Sequence, residues 1–373
     1  MQKIEELMLL CTLLGQTSQE EIAALRERVL CDKIPWVGII ALANSDYLVP
    51  ALYGQLKNKK LFEVIQDEQL KGYMREVYAF NTERNYQILD QLKHLASLLI
   101  PLGSAPLLLK GSAILTEGDY PSFGMRCMTD IDIMLDKKEL GQTLEVLKRS
   151  GYSFVNGEEK HQVENDHHHL EAMQKDGMPA ALELHYHAVG GKASEYIIQD
   201  CDNMQKSTNK NFKELDILLP TYRLYHAFLH TEIQHKNHKF KSLGLRHLYD
   251  FTVLTTKYKE EIDWKLLRQL AVSNHCKEVL DDYLYLANML FSLHTPLTVE
   301  NSRTRRHYKM VLKSFELKGT FLGQFYPLRA KLESTYSYKK LQKRYIFNSV
   351  VGYIVAVFKH SVYLLRKYFL KEA

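Results

Sequence analysis

The chain has 373 residues, 46% of them apolar and 25% charged, with a formal net charge of +5. That balance belongs to a globular protein of two or three domains, or of one core with helical additions, and it argues against overall disorder. Five cysteines, at 11, 31, 127, 201 and 276, form no CxxC pair, which speaks against a disulfide-built secreted fold and a thiolate zinc site.

The first residues carry no basic stretch followed by an apolar run and a small-residue cleavage site, so a cytoplasmic location is expected. Apolar residues Leu7, Leu10, Leu14 and Leu25 recur at helical intervals, and Ser18 with Glu21 makes a capping box. Trp36 and Ile39 begin a further helical face. Pro50 suits the first turn of a helix containing Leu52, Tyr53 and Leu56. Residues 68–99 read as one long helix, with Tyr86, Ile88, Leu89, Leu92 and Leu95 on a packed stripe. Residues 1–99 thus form an N-terminal helical region.

The period then changes. Residues 107–109 fit a short buried strand, and Gly111 opens a turn into a helix at Ser112 and Ala113. Residues 129–135 alternate with period two, which puts Asp130 and Asp132 on one face and Ile131 and Ile133 on the other. A helix over 137–149 stops at Gly151. Strands follow at 168–173 and 180–186, around a turn at Gly177. This describes an α/β core over 100–215, followed by a helical region over 216–295 that starts near Pro220 and includes a helix near Leu243.

Residues 296–373 form a basic, aromatic, helical tail. From residue 301 onward the chain carries a net charge of about +13, against about −8 for everything before it. Such a tail suits nucleic acid, an anionic membrane surface or an acidic protein partner, and charge alone does not choose among them. Its apolar stretch, 345–358, is too short to span a bilayer. A buried terminal helix and docking peripheral to a membrane both fit it.

Two aspartates side by side on a strand repel unless a cation compensates them, and their hard oxygens suit Mg²⁺ or Mn²⁺. Glu183, in a second period-two strand, offers a third acid. In a two-metal arrangement Asp130 and Asp132 hold a nucleotide-associated ion, and Glu183 with one aspartate supports an ion that activates an acceptor hydroxyl. Gly111 and Ser112 at a helix start can approach phosphate, with Lys110 and Arg126 balancing its charge.

The histidines are ambiguous. His161, His167, His168, His169 and His187 show no converging ligand set for zinc, whereas His185 shares a strand side with Glu183. His226 and His230 share a helix face, but Ala227 stands where a His-Glu-x-x-His protease needs glutamate. Arg246 and Asp250, four apart, fit a helix-surface ion pair. Ser112 has no His–Asp relay, which disfavours a serine hydrolase.

Lys110-Gly-Ser112, Arg126-x-x-x-Asp130-Ile-Asp132 and Leu182-Glu-Leu-His185 resemble the uncharacterised nucleotidyltransferase family of the DNA polymerase β-like superfamily. Trp36 with Pro50-Ala-Leu-Tyr53, His226-x-x-x-His230, Leu245-Arg-His-Leu-Tyr-Asp250 and the Phe325–Tyr336 stretch extend the likeness. The resemblance implies an α+β fold: a polymerase β-like core with a mixed β-sheet, flanked by N- and C-terminal helical regions. It implies Gly111 and Ser112 as the phosphate-gripping pair, Asp130, Asp132 and Glu183 as metal ligands, and Lys110, Arg126 and His185 as recurring site residues. The implied reaction moves a nucleoside monophosphate from an NTP to an unidentified hydroxyl-bearing acceptor, with pyrophosphate released. Two departures, a long gap between Ser112 and Asp130 and a glutamate as third acid, fit an alternative: a noncatalytic nucleotide-binding or protein-interaction module that keeps the fold.

Overall fold

Helix signals in the first hundred residues translate directly into structure. The computed structural model describes residues 2–103, 105–155, 168–190, 203–320, 338–346 and 348–369. His161, His167, Cys201 and the Phe325–Tyr336 stretch lie outside the described residues. Helices α1 (Gln2–Leu14), α2 (Gln19–Leu30), α3 (Trp36–Ser45), α4 (Val49–Asn58) and α5 (Glu68–Leu99) come first. Before α2 the predicted capping box forms: Ser18 Oγ accepts from the Glu21 N–H at 3.2 Å, and Glu21 returns the contact to the Ser18 N–H at 2.7 Å. Asp67 caps α5 by accepting from the Leu70 N–H at 2.9 Å. Along α5, Ile88, Leu92 and Leu95 are fully buried, but Tyr86 is 54% exposed. It lies roughly 200° around the axis from Ile88 and packs on Phe123 instead.

The sheet is mixed, as the resemblance implies. Its seven strands are β1 (Leu107–Leu108), β2 (Asp130–Met134), β3 (Ser153–Phe154), β4 (Met173–Gln174), β5 (Ala181–His185), β6 (Met204–Lys206) and β7 (Asp216–Leu218). They lie in the order β3-β4-β5-β2-β1-β7-β6. The central pair β2–β5 is parallel, β1 runs antiparallel to β2, and β7 is parallel to β1. Helices α6 (Lys110–Thr116) and α7 (Leu140–Arg149) belong to this core. The strand expected at 168–173 is mostly irregular: only His169 bridges to His185 before β4 begins. Ile131, Ile133, Leu182 and Leu184 form the buried face of the sheet, against Leu92, Leu95 and Leu99 of α5 and Leu144 and Leu147 of α7. The two alternating strands therefore read correctly from sequence: apolar residues inward, acids to the other side.

After the sheet the chain is helical: α8 (Pro220–Phe228), a π turn (Leu229–Gln234), α9 (Asn237–Phe240), α10 (Leu245–Lys257), α11 (Trp264–Ser273), α12 (Lys277–Phe291) and α13 (Ser302–Leu317). These share a second hydrophobic core with α1–α4, so the helices from the two ends of the chain pack as one body. Gly15 allows that approach, since a Cβ there would lie 2.8 Å from the Phe291 carbonyl oxygen.

The tail forms a hairpin of α14 (Tyr338–Tyr345) and α15 (Val350–Phe369). Ala356 and His360 are buried within it, whereas Val351, Ile354, Val355 and Phe358 stay exposed. The buried terminal helix expected here is thus buried along one side only. Among the described residues, no helix is long and apolar enough to cross a membrane.

Leu182 is fully buried in β5 beneath the acidic face. Its replacement by alanine is expected to cost about 2–5 kcal/mol through lost transfer energy and the cavity left behind. Urea unfolding monitored by circular dichroism measures the loss.

Candidate active site

Parallel pairing of β2 with β5 sets Asp132 directly beside Glu183, with Met134 beside His185 two residues on. Because side chains alternate, Asp130, Asp132, Glu183 and His185 all project to the face opposite the isoleucines. One oxygen, Asp132 Oδ1, takes two donors: Lys110 Nζ at 2.6 Å and His185 Nε2 at 2.9 Å. Glu183 Oε2 stands 3.8 Å from the same ammonium and 3.6 Å from the same imidazole. Asp132, Glu183 and His185 bring ligand atoms within 4.8 Å of one another; Asp130 stands outside that grouping, on the same strand face. Among the described residues, no group donates a hydrogen bond to Asp132 Oδ2.

The turn into α6 holds this arrangement. Lys110 has φ of 46°, the left-handed region that costs a non-glycine residue about 1–3 kcal/mol, and from there its side chain reaches Asp132. Gly111 lies so close to the next loop that a Cβ would sit 2.5 Å from Met128 Sδ and 2.7 Å from Arg126 Nη1. The Ser112 hydroxyl is fully buried and accepts the Asp132 backbone N–H at 2.9 Å. Expected at the phosphates, Ser112 instead braces the strand that carries the acids. Gly111 and Lys110 do face the cavity.

Electrostatics separates the acids. Burial opposes the charge on Asp132, but Lys110 and the hydrogen bond from His185 win and hold its carboxyl well below the usual range. For Glu183 the neighbouring His185 imidazole is the leading cause of a lowered value. Asp130 moves the other way, raised first by burial and then by the nearby Asp132 and Glu183 charges. His185 is raised despite its burial, because both acids stabilise the imidazolium. Asp130, whose proton affinity rises with burial and beside two acids, is the carboxyl that a further cation would relieve. Three carboxylates, each with an oxygen that accepts no hydrogen bond among the described residues, form a hard-oxygen set that fits a divalent ion such as Mg²⁺.

Arg126 has a partner the sequence did not suggest. Its guanidinium is buried and grips Asp250 of α10 through Nε–Oδ1 at 3.2 Å and Nη2–Oδ2 at 2.9 Å. Tyr120 adds a hydrogen bond to Asp250 Oδ1 at 2.6 Å. The Arg246–Asp250 helix pair does not form, because Asp250 turns into the protein, where a bidentate partner is available. Arg246 lies over the Tyr47 ring at 5.3 Å, and its buried Nη1 has no hydrogen-bond partner among the described residues.

The segment between Ser112 and Asp130 is pinned from two sides. Asn81 and Asn85 of α5 donate to the carbonyls of Phe123, Gly124 and Arg126 at 2.7–3.1 Å. Arg84 bonds the Met128 carbonyl. From the other flank Asp119 is held by Arg223, by Lys257 at 2.8 Å and by Tyr258 at 2.7 Å. The sheet and the turn into α6 wall a cavity of about 410 Å³, with Asp130, Asp132, Glu183, Lys110 and Gly111 facing it. The C-terminal helices add Arg246 and the histidines 226, 230, 235 and 247. His226 Nε2 bonds the Ala188 carbonyl at 3.0 Å, a structural use of its imidazole.

A family model described as "Uncharacterised nucleotidyltransferase" matches residues 32–292, which takes in the whole cavity wall. Comparison with curated proteins and with solved structures gave no match.

Replacing Asp250 by alanine leaves a buried guanidinium unpaired, and stability should fall by about 3–5 kcal/mol, with Arg126→Met plus Asp250→Leu recovering much of it. Burial works against the Asp250 charge, but Arg126 overcomes it and lowers the carboxyl's value. The pair's contribution is therefore complete above the unfolded carboxylate value of about 3.9, and is lost as pH falls through the lower folded value. Denaturant titrations from pH 5 down to pH 2 should show wild type losing stability more steeply than Asp250→Asn.

Proposed function

The chain belongs to the uncharacterised nucleotidyltransferase family, and on that premise we propose that it transfers a nucleoside monophosphate from an NTP to a hydroxyl-bearing acceptor. The observation that carries this reading is the parallel register of Asp132 with Glu183, which, with Asp130, sets three acids in the wall of one cavity. Asp130, Asp132 and Glu183 would hold Mg²⁺ or Mn²⁺, which when bound neutralises phosphate charge and makes a coordinated hydroxyl more acidic.

The chain's own groups account for the rest. Lys110 faces two carboxylates across 2.6 and 3.8 Å, so its ammonium is placed to exchange one of them for a phosphate oxygen of the NTP. The Lys110–Gly111 turn allows the triphosphate to come close to the backbone. Glu183, half-buried on the cavity side, orients the acceptor hydroxyl for in-line attack on the α-phosphorus. The new P–O bond forms as the bond to the β-phosphate oxygen breaks; the hydroxyl proton passes to the carboxylate cluster and pyrophosphate leaves. His185, fully buried, holds Asp132 and Glu183 in place and is a positioning residue. Arg126, committed to Asp250, fixes the loop that leads into the strand of Asp130 and Asp132.

One observation favours a second reading. Protein cations already neutralise Asp132, as they would in a module that binds nucleotide without turning it over.

An NTP panel with Mg²⁺ or Mn²⁺, followed for pyrophosphate release and for label transfer into a cell extract, separates the readings. Nucleotidyl transfer predicts product from wild type and a drop of at least about 100-fold in Asp130→Asn with Asp132→Asn, an effect of roughly 2.7 kcal/mol or more on the barrier. Turnover unchanged by that double substitution would sink the mechanism. Saturable NTP binding with no product from any extract favours the binding module.

A further inference from the structure

Part of the same cavity wall consists of imidazoles whose ring nitrogens have no hydrogen-bond partner among the described residues. His230, His235 and His247 bring one ring nitrogen each within 4.8 Å of the others. Their ring centroids are 4.1 Å apart for 230–235 and 5.6 Å apart for each pair with 247. Among the described residues, no group hydrogen-bonds to a ring nitrogen of any of the three. All three face the cavity.

The backbone is bent out of its ordinary course to produce this grouping. In a regular α-helix, residues five apart point about 140° away from each other. Here α8 passes into the π turn, where the His235 N–H donates to the His230 carbonyl at 3.0 Å and the two rings come together at an interplanar angle of 57°. Single π turns are rare and gather at functional sites. Lys236 and Lys241, at φ of 61° and 54°, then adopt left-handed backbone on either side of α9. Gly244 lets α10 begin against the π turn, since a Cβ there would sit 2.7 Å from Asn237 Nδ2 and 3.3 Å from Thr231 Cγ2. That close approach delivers His247.

The ligand chemistry follows from the donor set. Three imidazoles with one open direction are the ligands of catalytic rather than structural zinc, and nitrogen donors suit Zn²⁺ where Mg²⁺ prefers oxygen. Lys110 and Arg246 line the same cavity as these rings. Those same cations would oppose a bare dication, so the site calls for an anion as well. Arg246, with its unpartnered Nη1, is next in sequence to His247 and lines the same space.

We propose that His230, His235 and His247 form an open three-nitrogen Zn²⁺ site whose fourth position faces the cavity and takes a phosphate oxygen, with Arg246 as its second clasp. The site is distinct from the carboxylate cluster and stands whether or not that cluster catalyses transfer. A second grouping, His238, Asp282 and His307, is a natural control. Its carboxylate is already bound by His238 at 2.9 Å and Arg303 at 2.7 Å, and Lys241 Nζ lies 3.2 Å from His307 Nδ1.

The full-length chain, stripped with chelator, is titrated with Zn²⁺ by calorimetry and with Co²⁺ as a spectroscopic stand-in. The expected result is one Zn²⁺ per chain and the visible bands of four-coordinate cobalt, shifted by inorganic phosphate. His235→Asn and His247→Asn should each weaken Zn²⁺ binding by more than the roughly 10-fold that losing even an outer-shell partner costs. His235 is exposed, so its variant should melt like wild type. Asp130→Asn with Asp132→Asn should retain both the zinc and the cobalt bands, which keeps this test separate from that of nucleotidyl transfer. The site is overturned if wild type binds no stoichiometric zinc, if the cobalt spectrum survives His235→Asn, or if His307→Asn abolishes binding that His235→Asn leaves intact. Cobalt bands indifferent to phosphate would overturn the open position.

Discussion

Asp132 is a carboxylate taken out of water, and the centre of the molecule is arranged around that fact. A lone buried charge costs several kcal/mol, so the fold must bring it partners of opposite sign and fix them closely. It does so with Lys110 from the turn before α6 and His185 from the neighbouring strand, both on one oxygen. Ser112 secures the same residue's backbone. Register is the constraint behind all of this. A slip of one residue between β2 and β5 would turn Glu183 and His185 to the apolar face and leave Asp132 with Lys110 alone.

A second buried ion pair extends that logic to the flanking helices. Arg126 leaves the loop before β2 and ends on Asp250 in α10, so the position of the acids depends on a helix more than a hundred residues further on. Helix α5 holds the same loop from the other flank through side-chain amides buried at Asn81 and Asn85. The helical regions therefore do more than cover the sheet. They set the loop that aims the strand, and they supply the part of the cavity wall that the core lacks.

What the sequence disclosed depended on the range of the interaction. Alternation at 129–135 and 180–186, the Ser18 cap and the long helix at 68–99 are local, and each appears where the pattern put it. Strands β6 and β7, three residues each, are too short to show a period. The Arg246–Asp250 spacing was legible but misleading, because a local pair lost to a bidentate partner from a distant loop. Ser112 looked like a phosphate ligand from its place after Gly111, and only the register shows its hydroxyl spent on Asp132. The three-histidine grouping was out of reach. An interval of five between His230 and His235 has no meaning on an α-helix and acquires one only through the π turn.

The third acid can be weighed on the same physical terms. Glutamate in place of aspartate carries its carboxylate one methylene further from the strand, and here that reach places Oε2 within 4 Å of both Lys110 and His185. The longer side chain joins the cluster rather than falling short of it. Stability gives little reason for such a cluster to exist. Apolar residues of similar volume commonly replace a buried ion pair at no cost, or with a gain of about 1–4 kcal/mol. A strained lysine backbone adds to the burden. Charged groups gathered at the wall of a cavity, with proton affinities pushed apart, make sense as chemistry held ready for a ligand. On that argument Glu183 favours an acid retained for use, and under the proposed transfer the Lys110 contact is the state of the site before a nucleotide's phosphates compete for the ammonium.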